Sequence, residues 1–124
     1  MITKLDSFTS SYIECALWSS TDDDGEPLDG LYTADDLAES TLRQIVDNCA
    51  DFQASFADLL SQAYARDGYS SEQAGHDFWL TRNGHGAGFW DRGLDAIGQQ
   101  LTDMAHSYGS CDLYIGDDGN IYAA

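Results

Sequence analysis

Apolar residues recur along most of this chain at intervals of three and four, the period of a helix. Phe8, Tyr12, Cys15, Ala16 and Trp18 follow Asp6 and Ser7, a capping pair, and predict a first helix over 7–19. Leu42, Ile45, Val46, Cys49, Phe52, Phe56, Leu59, Leu60 and Ala63 form one stripe and predict a long amphipathic helix over 40–65, with Asp47, Asp51 and Asp58 on its other face. Gly68 supplies a stop. Ser70 and Gln73 have the spacing of a capping box, which opens a third helix through Phe78, Trp79 and Leu80 to about Arg82, ended by Asn83-Gly84. Leu94, Ile97, Leu101, Met104, Ala105 and Tyr108 predict a helix over 93–108, stopped by Gly109.

The pattern changes at two places. Leu113-Tyr114-Ile115 and Ile121-Tyr122-Ala123 flank Gly116-Asp117-Asp118-Gly119-Asn120, a hairpin signal with Asp118-Gly119 as the turn dipeptide. Gly86-Ala87-Gly88-Phe89-Trp90 is too rich in glycine for a helix and predicts a further strand over 87–91. Between Ser19 and Tyr32 stands the only proline, Pro27, with Gly25 and Gly30, so this stretch reads as an exposed loop that Leu28, Leu31 and Tyr32 pin to the core. Thr33 caps a short turn at Ala34-Asp35-Asp36. The expected fold is a single α+β domain over 1–124: about four helices packed on a small two- or three-stranded antiparallel sheet with a C-terminal β-hairpin.

Charge alters this picture. The 124 residues carry 22 Asp and Glu against 5 Lys and Arg, a net charge of −17. Hydrophobic residues nevertheless make up 43% and aromatics 12%, enough apolar surface to fold rather than remain an acidic coil. Such a field repels phosphate backbones and anionic lipid, so neither nucleic acid nor a membrane surface is an expected direct partner. Lys4, Arg43, Arg66, Arg82 and Arg92 are scattered and make no basic patch. The complementary partner is a basic protein surface.

Cys15, Cys49 and Cys111 are odd in number and too far apart for a zinc knuckle, which predicts free buried thiols in a reducing compartment. Met1 to Asp6 lacks an apolar leader segment, and no run approaches the ~20 apolar residues of a membrane span, so the expected location is cytoplasmic.

The most unusual segment runs from Gly75 to Asp91, Gly-His-Asp-Phe-Trp-Leu-Thr-Arg-Asn-Gly-His-Gly-Ala-Gly-Phe-Trp-Asp. Together with Tyr12-Ile13-Glu14, Trp18-Ser19-Ser20-Thr21-Asp22-Asp23 and Asp112 to Gly119, it resembles a family of small acidic proteins of unassigned role from bacteriophage genomes and mobile elements. The resemblance spans nearly the whole chain. It implies a phage-type origin and a place in the cytoplasm of an infected host cell, and it brings no activity to individual residues.

Chemistry in that segment has several readings. His85 on a glycine-rich turn beside Asp77 or Asp91 would supply a general base and its orienting carboxylate, but no nucleophile or metal accompanies them. His76, His85 and Asp91 match no standard metal spacing, and Asp22-Asp23-Asp24-Gly25 departs from a calcium loop because Leu31 stands where the bidentate Glu belongs. Gly84 to Gly88 would cradle phosphate only if it led from strand into helix, whereas it leaves a helix. An alternative ligand pocket for a nucleotide or other small molecule comprises Arg82, His85, Trp90, Asp91 and Arg92. A structural reading makes His76, Phe78 and Trp79 helix anchors, with Phe89 and Trp90 alternating across a strand. A virion or assembly role would use exposed aromatics such as Tyr12, Trp18, Tyr69 and Trp90.

The leading expectation follows from the acids. On one continuous helix, Asp47 and Asp51 would lie about 6 Å apart along the axis and Asp58 about 10 Å beyond, the scale of successive backbone phosphates. Asp22, Asp23, Asp24, Glu26, Asp29, Asp35, Asp36 and Glu39 would extend the row into a strip. These residues predict a non-enzymatic protein, using no cofactor or metal, that mimics nucleic-acid charge and so inhibits a basic, nucleic-acid-binding host protein of defence or regulation.

Overall fold

The computed structural model describes residues 5–22, 24–66, 68–85 and 87–123. Its first helix, α1 (Ser7–Ser19), starts where Asp6 accepts a hydrogen bond from the Thr9 amide at 2.8 Å, satisfying an amide that the first turn leaves without a helical partner. After α2 (Glu39–Ser55), α3 (Ala57–Tyr64) and then α4 (Ser71–Arg82) follow; Ser70 caps α4 by accepting from the Gln73 amide at 3.3 Å. Helices α1 and α4 form the central pair. They approach closely at Gly75, where an added Cβ would fall on the carbonyl of Phe8. Trp79 closes the far end of the pair, donating its indole N–H to Ser19 Oγ at 2.7 Å.

The core is mainly aromatic where these helices meet α2. Phe52 stacks on Phe78 at 4.3 Å and on Phe89 at 5.7 Å between ring centroids, while Phe8 and Tyr12 approach Phe78 from α1. All five rings are fully buried.

The single long helix expected over 40–65 is two helices. The backbone breaks at Phe56 (φ −121°, ψ 30°), with neither Pro nor Gly at the break. The Phe56 ring meets Phe52 edge-on at 5.1 Å, and the change of direction sets α3 against α5 (Ala96–His106), burying Leu60 and Ala63. Five α-helices therefore stand among the described residues, where about four were expected. Helix α5 also begins later than predicted, because Asp95 adopts a left-handed backbone (φ 57°) and Leu94 ahead of it turns into the core.

Residues 89–91 form a 3-10 turn rather than a strand. The Phe89 amide donates to Thr81 Oγ1 at 3.2 Å and the Asp91 amide to the Gly88 carbonyl at 3.0 Å, so Phe89 enters the core while Trp90 remains outside. Among the described residues the sheet has two strands, β1 (Leu113–Ile115) and β2 (Ile121–Ala123), antiparallel with Tyr114 opposite Tyr122. Gly119 (φ 83°) takes the left-handed turn position expected for it. The hairpin does not underlie the helices. It joins them chiefly through α2, where the Ala38 amide donates to the Ile121 carbonyl at 2.9 Å.

The molecule is thus α+β, with a helical core and a small hairpin at its edge. Cys15, Cys49 and Cys111 are free and buried, in keeping with the sequence. Of the aromatics proposed for self-association, Trp18 and Trp90 are exposed, but Tyr12 and Tyr69 belong to the core. No helix among the described residues is long and apolar enough to cross a membrane.

Candidate functional site

Each described arginine is engaged within the fold. Arg92 grips the fully buried carboxylate of Asp77, with Nε at 3.0 and 3.2 Å from the two oxygens and Nη2 at 2.9 Å from Oδ1. Tyr69 donates to the same carboxylate at 2.8 Å and Gln73 at 3.2 Å. Hydrogen bonding to Asp77 pushes the Arg92 pKa up, and burial followed by the nearby Asp77 charge pushes the Tyr69 hydroxyl up. Arg82 is buried without a carboxylate. It donates from Nε to the Gly109 carbonyl at 2.8 Å, from Nη2 to the Tyr108 carbonyl at 3.1 Å and from Nη1 to Tyr12 Oη at 3.1 Å, neutralising the negative end of α5. Arg43 pairs with Glu39 at 3.4 Å and Arg66 with Asp95 at 3.5 Å, both on the surface. Lys4 lies outside the described residues.

The acids are distributed in the opposite way. Among the described residues Asp77 alone is a buried carboxylate. Asp24, Glu26, Asp29, Asp35, Glu39, Asp47, Asp51 and Asp58 are exposed, with Asp22 and Asp36 half-buried; Asp23 lies outside the described residues. Several have local structural duties. Asp22 accepts from the amides of Asp24 and Glu26 at 2.9 and 3.0 Å, Asp36 accepts from the Thr33 amide at 2.8 Å as half of a capping box, and Asp51 accepts from the Tyr108 hydroxyl. Asp47 and Asp51 sit one turn apart on α2, whereas Asp58 begins α3 beyond the Phe56 break. The spacing calculated for one continuous helix therefore does not extend to Asp58, and the acids make a broad negative exterior in place of a straight row.

The residues of the expected pocket, Arg82, His85, Trp90, Asp91 and Arg92, stand in different settings. Arg82 is buried under α5, Arg92 is committed to Asp77, and His85, Trp90 and Asp91 are exposed on the connection after α4. His76, whose spacing from His85 and Asp91 matches no standard metal site, faces Trp18 at 6.3 Å between ring centroids. Among the described residues no group of three or more His, Cys, Asp or Glu side chains is placed to hold a metal ion.

A different concavity lies between α1 and residues 29–34. It is a groove of about 740 Å³ whose walls include Ile13, Leu17, Trp18, Tyr32, His76 and Glu14. Ser10, Ile13, Glu14, Leu17 and Trp18 recur on α1 at helical spacing, giving the helix a second stripe besides the Phe8, Tyr12 and Cys15 stripe that faces the core. Ile13 and Leu17 form the floor, while Trp18 is 59% exposed at the rim. Among the described residues His76 Nδ1 is buried there without a hydrogen-bond partner. Sequence periodicity missed this groove because a helix with two apolar stripes reads as one helix of the core. The available signal was Trp18 immediately after Leu17, outside the stripe that Phe8 and Tyr12 define.

No protein-family model, curated protein or solved structure matches the chain.

Proposed function

We propose that this protein binds a basic, nucleic-acid-binding protein and inhibits it by occupying the surface that otherwise holds a phosphate backbone. One observation carries the reading: the described arginines are all spent on internal partners, while every described acid except Asp77 reaches the surface. Most of the negative charge of the described residues is therefore presented outward with little local neutralisation. A basic channel meeting that exterior gains rapid, steered encounter and binding that weakens with salt. The phage-type resemblance of the sequence belongs to the same proposal, with a bacterial defence or regulatory protein as the target class.

Asp24, Asp47, Asp58 and Asp112 test it cleanly. Among the described residues their carboxylates take part in no hydrogen bond or ion pair, so Asn substitutions remove charge without removing a support of the fold. The fourfold variant is expected to lose at least tenfold in partner affinity while keeping its circular dichroism spectrum. Unchanged affinity would refute charge mimicry.

A further inference from the structure

The groove along α1 carries an inference about how that partner is recognised. We propose that it seats the apolar face of a cationic amphipathic helix belonging to the basic partner. The inference rests on the reading of the partner as basic and adds a specific docking site to it.

Three features select this occupant. The lining is mainly apolar, with Tyr32 and Trp18 over the nearly buried Ile13 and Leu17, and an apolar groove accepts the side chains on one face of an amphipathic helix. Glu14 and Asp29 line the same trough and are exposed, while Asp35 and Asp36 follow directly on its wall residue Ala34. An incoming segment thus meets carboxylates beside the apolar floor, which favours Lys or Arg flanking the inserted residues. The half-buried His76 imidazole, facing Trp18 at 6.3 Å between ring centroids, adds a polar ring to an otherwise mainly apolar wall. A second copy of this chain is disfavoured because it would bring another −17 to a rim that is already negative.

Trp18 is the expected anchor. Large exposed aromatics at the edge of an apolar trough are characteristic centres of binding energy, and Leu31, 75% exposed next to Tyr32, adds a second uncovered apolar side chain.

The test is calorimetric titration of the full chain with a short synthetic Leu/Lys peptide whose leucines lie on one helical face, and with a scrambled peptide of identical composition. The patterned peptide is expected to bind at least roughly tenfold more tightly than the scrambled one. Trp18→Ala, a surface change, should remove that preference, and the Glu14→Gln/Asp29→Asn pair should weaken binding and flatten its salt dependence. Equal binding of both peptides, insensitive to Trp18→Ala, would overturn the groove proposal while leaving surface-charge recognition standing. Binding of dodecylammonium at Trp18 with no binding of the patterned peptide would assign the groove to a small amphiphile, and a Trp18-dependent dimer in sedimentation would assign it to a second copy; either result overturns the proposal. If the patterned peptide binds as expected but the fourfold Asn variant still captures its partner undiminished, the groove stands and charge mimicry fails.

Discussion

Asp77 and Arg92 meet side-on, with both carboxylate oxygens accepting from Nε and one also from Nη2 at 2.9 Å, inside the segment whose histidines and glycines most suggest chemistry. The pair joins α4 to the connection that follows it and commits the buried Asp77 carboxylate to internal partners. Its stability consequence is asymmetric, because removing Arg92 strands the Asp77 carboxylate in a dry site, whereas Arg92 itself is partly exposed. Arg92→Met should destabilise the fold by about 3–5 kcal/mol, and Asp77→Asn added to it should recover part of the loss. Urea unfolding checks both; a cost of only a few tenths for Arg92→Met would mean that Tyr69 and Gln73 satisfy the carboxylate alone.

Gly75 sets the separation of α1 and α4. Gly75→Ala would drive a methyl group into the Phe8 backbone and is expected to cost about 1–3 kcal/mol, despite alanine's better helix propensity. Gly30→Ala is the control, because an added Cβ meets nothing within 4 Å there and the backbone lies outside the left-handed region; its effect should stay within about 0.5 kcal/mol.

Alkali should unfold the protein ahead of most folds. Burial, the main cause in each case, pushes the Cys15 and Cys49 thiols from 9.0 up to about 12, Tyr64 from 10.0 to about 12, and Tyr12 and Tyr69 well above their ordinary value of 10.0. An acid whose folded pKa lies above its unfolded pKa stabilises the native state fully below the unfolded value, and that contribution drains away as pH climbs through the folded value. Stability should therefore hold to about pH 9 and fall between 9 and 12. The share of tyrosinate absorbance due to Tyr12, Tyr64 and Tyr69 should appear only together with loss of the circular dichroism signal; ionisation of all seven tyrosines near pH 10 with the fold intact would contradict the burial of these three.

Salt should stabilise the free protein. The net charge of −17 is opposed by few internal ion pairs, so screening relieves more repulsion than attraction. The melting temperature should climb by several degrees as ionic strength rises from about 0.01 M, where charges interact over about 30 Å, to 0.15 M, where they do so over about 8 Å. A fall in melting temperature would show that specific pairs outweigh the general repulsion.

Much of the fold was legible because its signals are local. Asp6 and Ser70 capped the helices they were expected to cap, Gly109 ended the helical region after α5 with φ 75°, and Gly119 turned the hairpin. The failures were decided by tertiary contacts. Nothing in Gln53-Ala54-Ser55-Phe56-Ala57 announces a break, since the bend at Phe56 answers the position of Phe52 and α5. Phe89-Trp90 alternates like a strand, but Thr81 on the preceding helix holds the Phe89 amide and coils the segment. Composition disclosed the net charge, whereas the diversion of Arg82 to the carbonyls of Tyr108 and Gly109 required a three-dimensional arrangement.

The measurement that bears most directly on the central claim is capture of partners from bacterial lysate on the immobilised protein, at low and high salt and with excess duplex DNA. Charge mimicry predicts one dominant basic nucleic-acid-binding protein at low salt, released both by salt and by DNA. A partner that stays bound in the presence of saturating DNA, or the absence of any salt-sensitive partner, would contradict it.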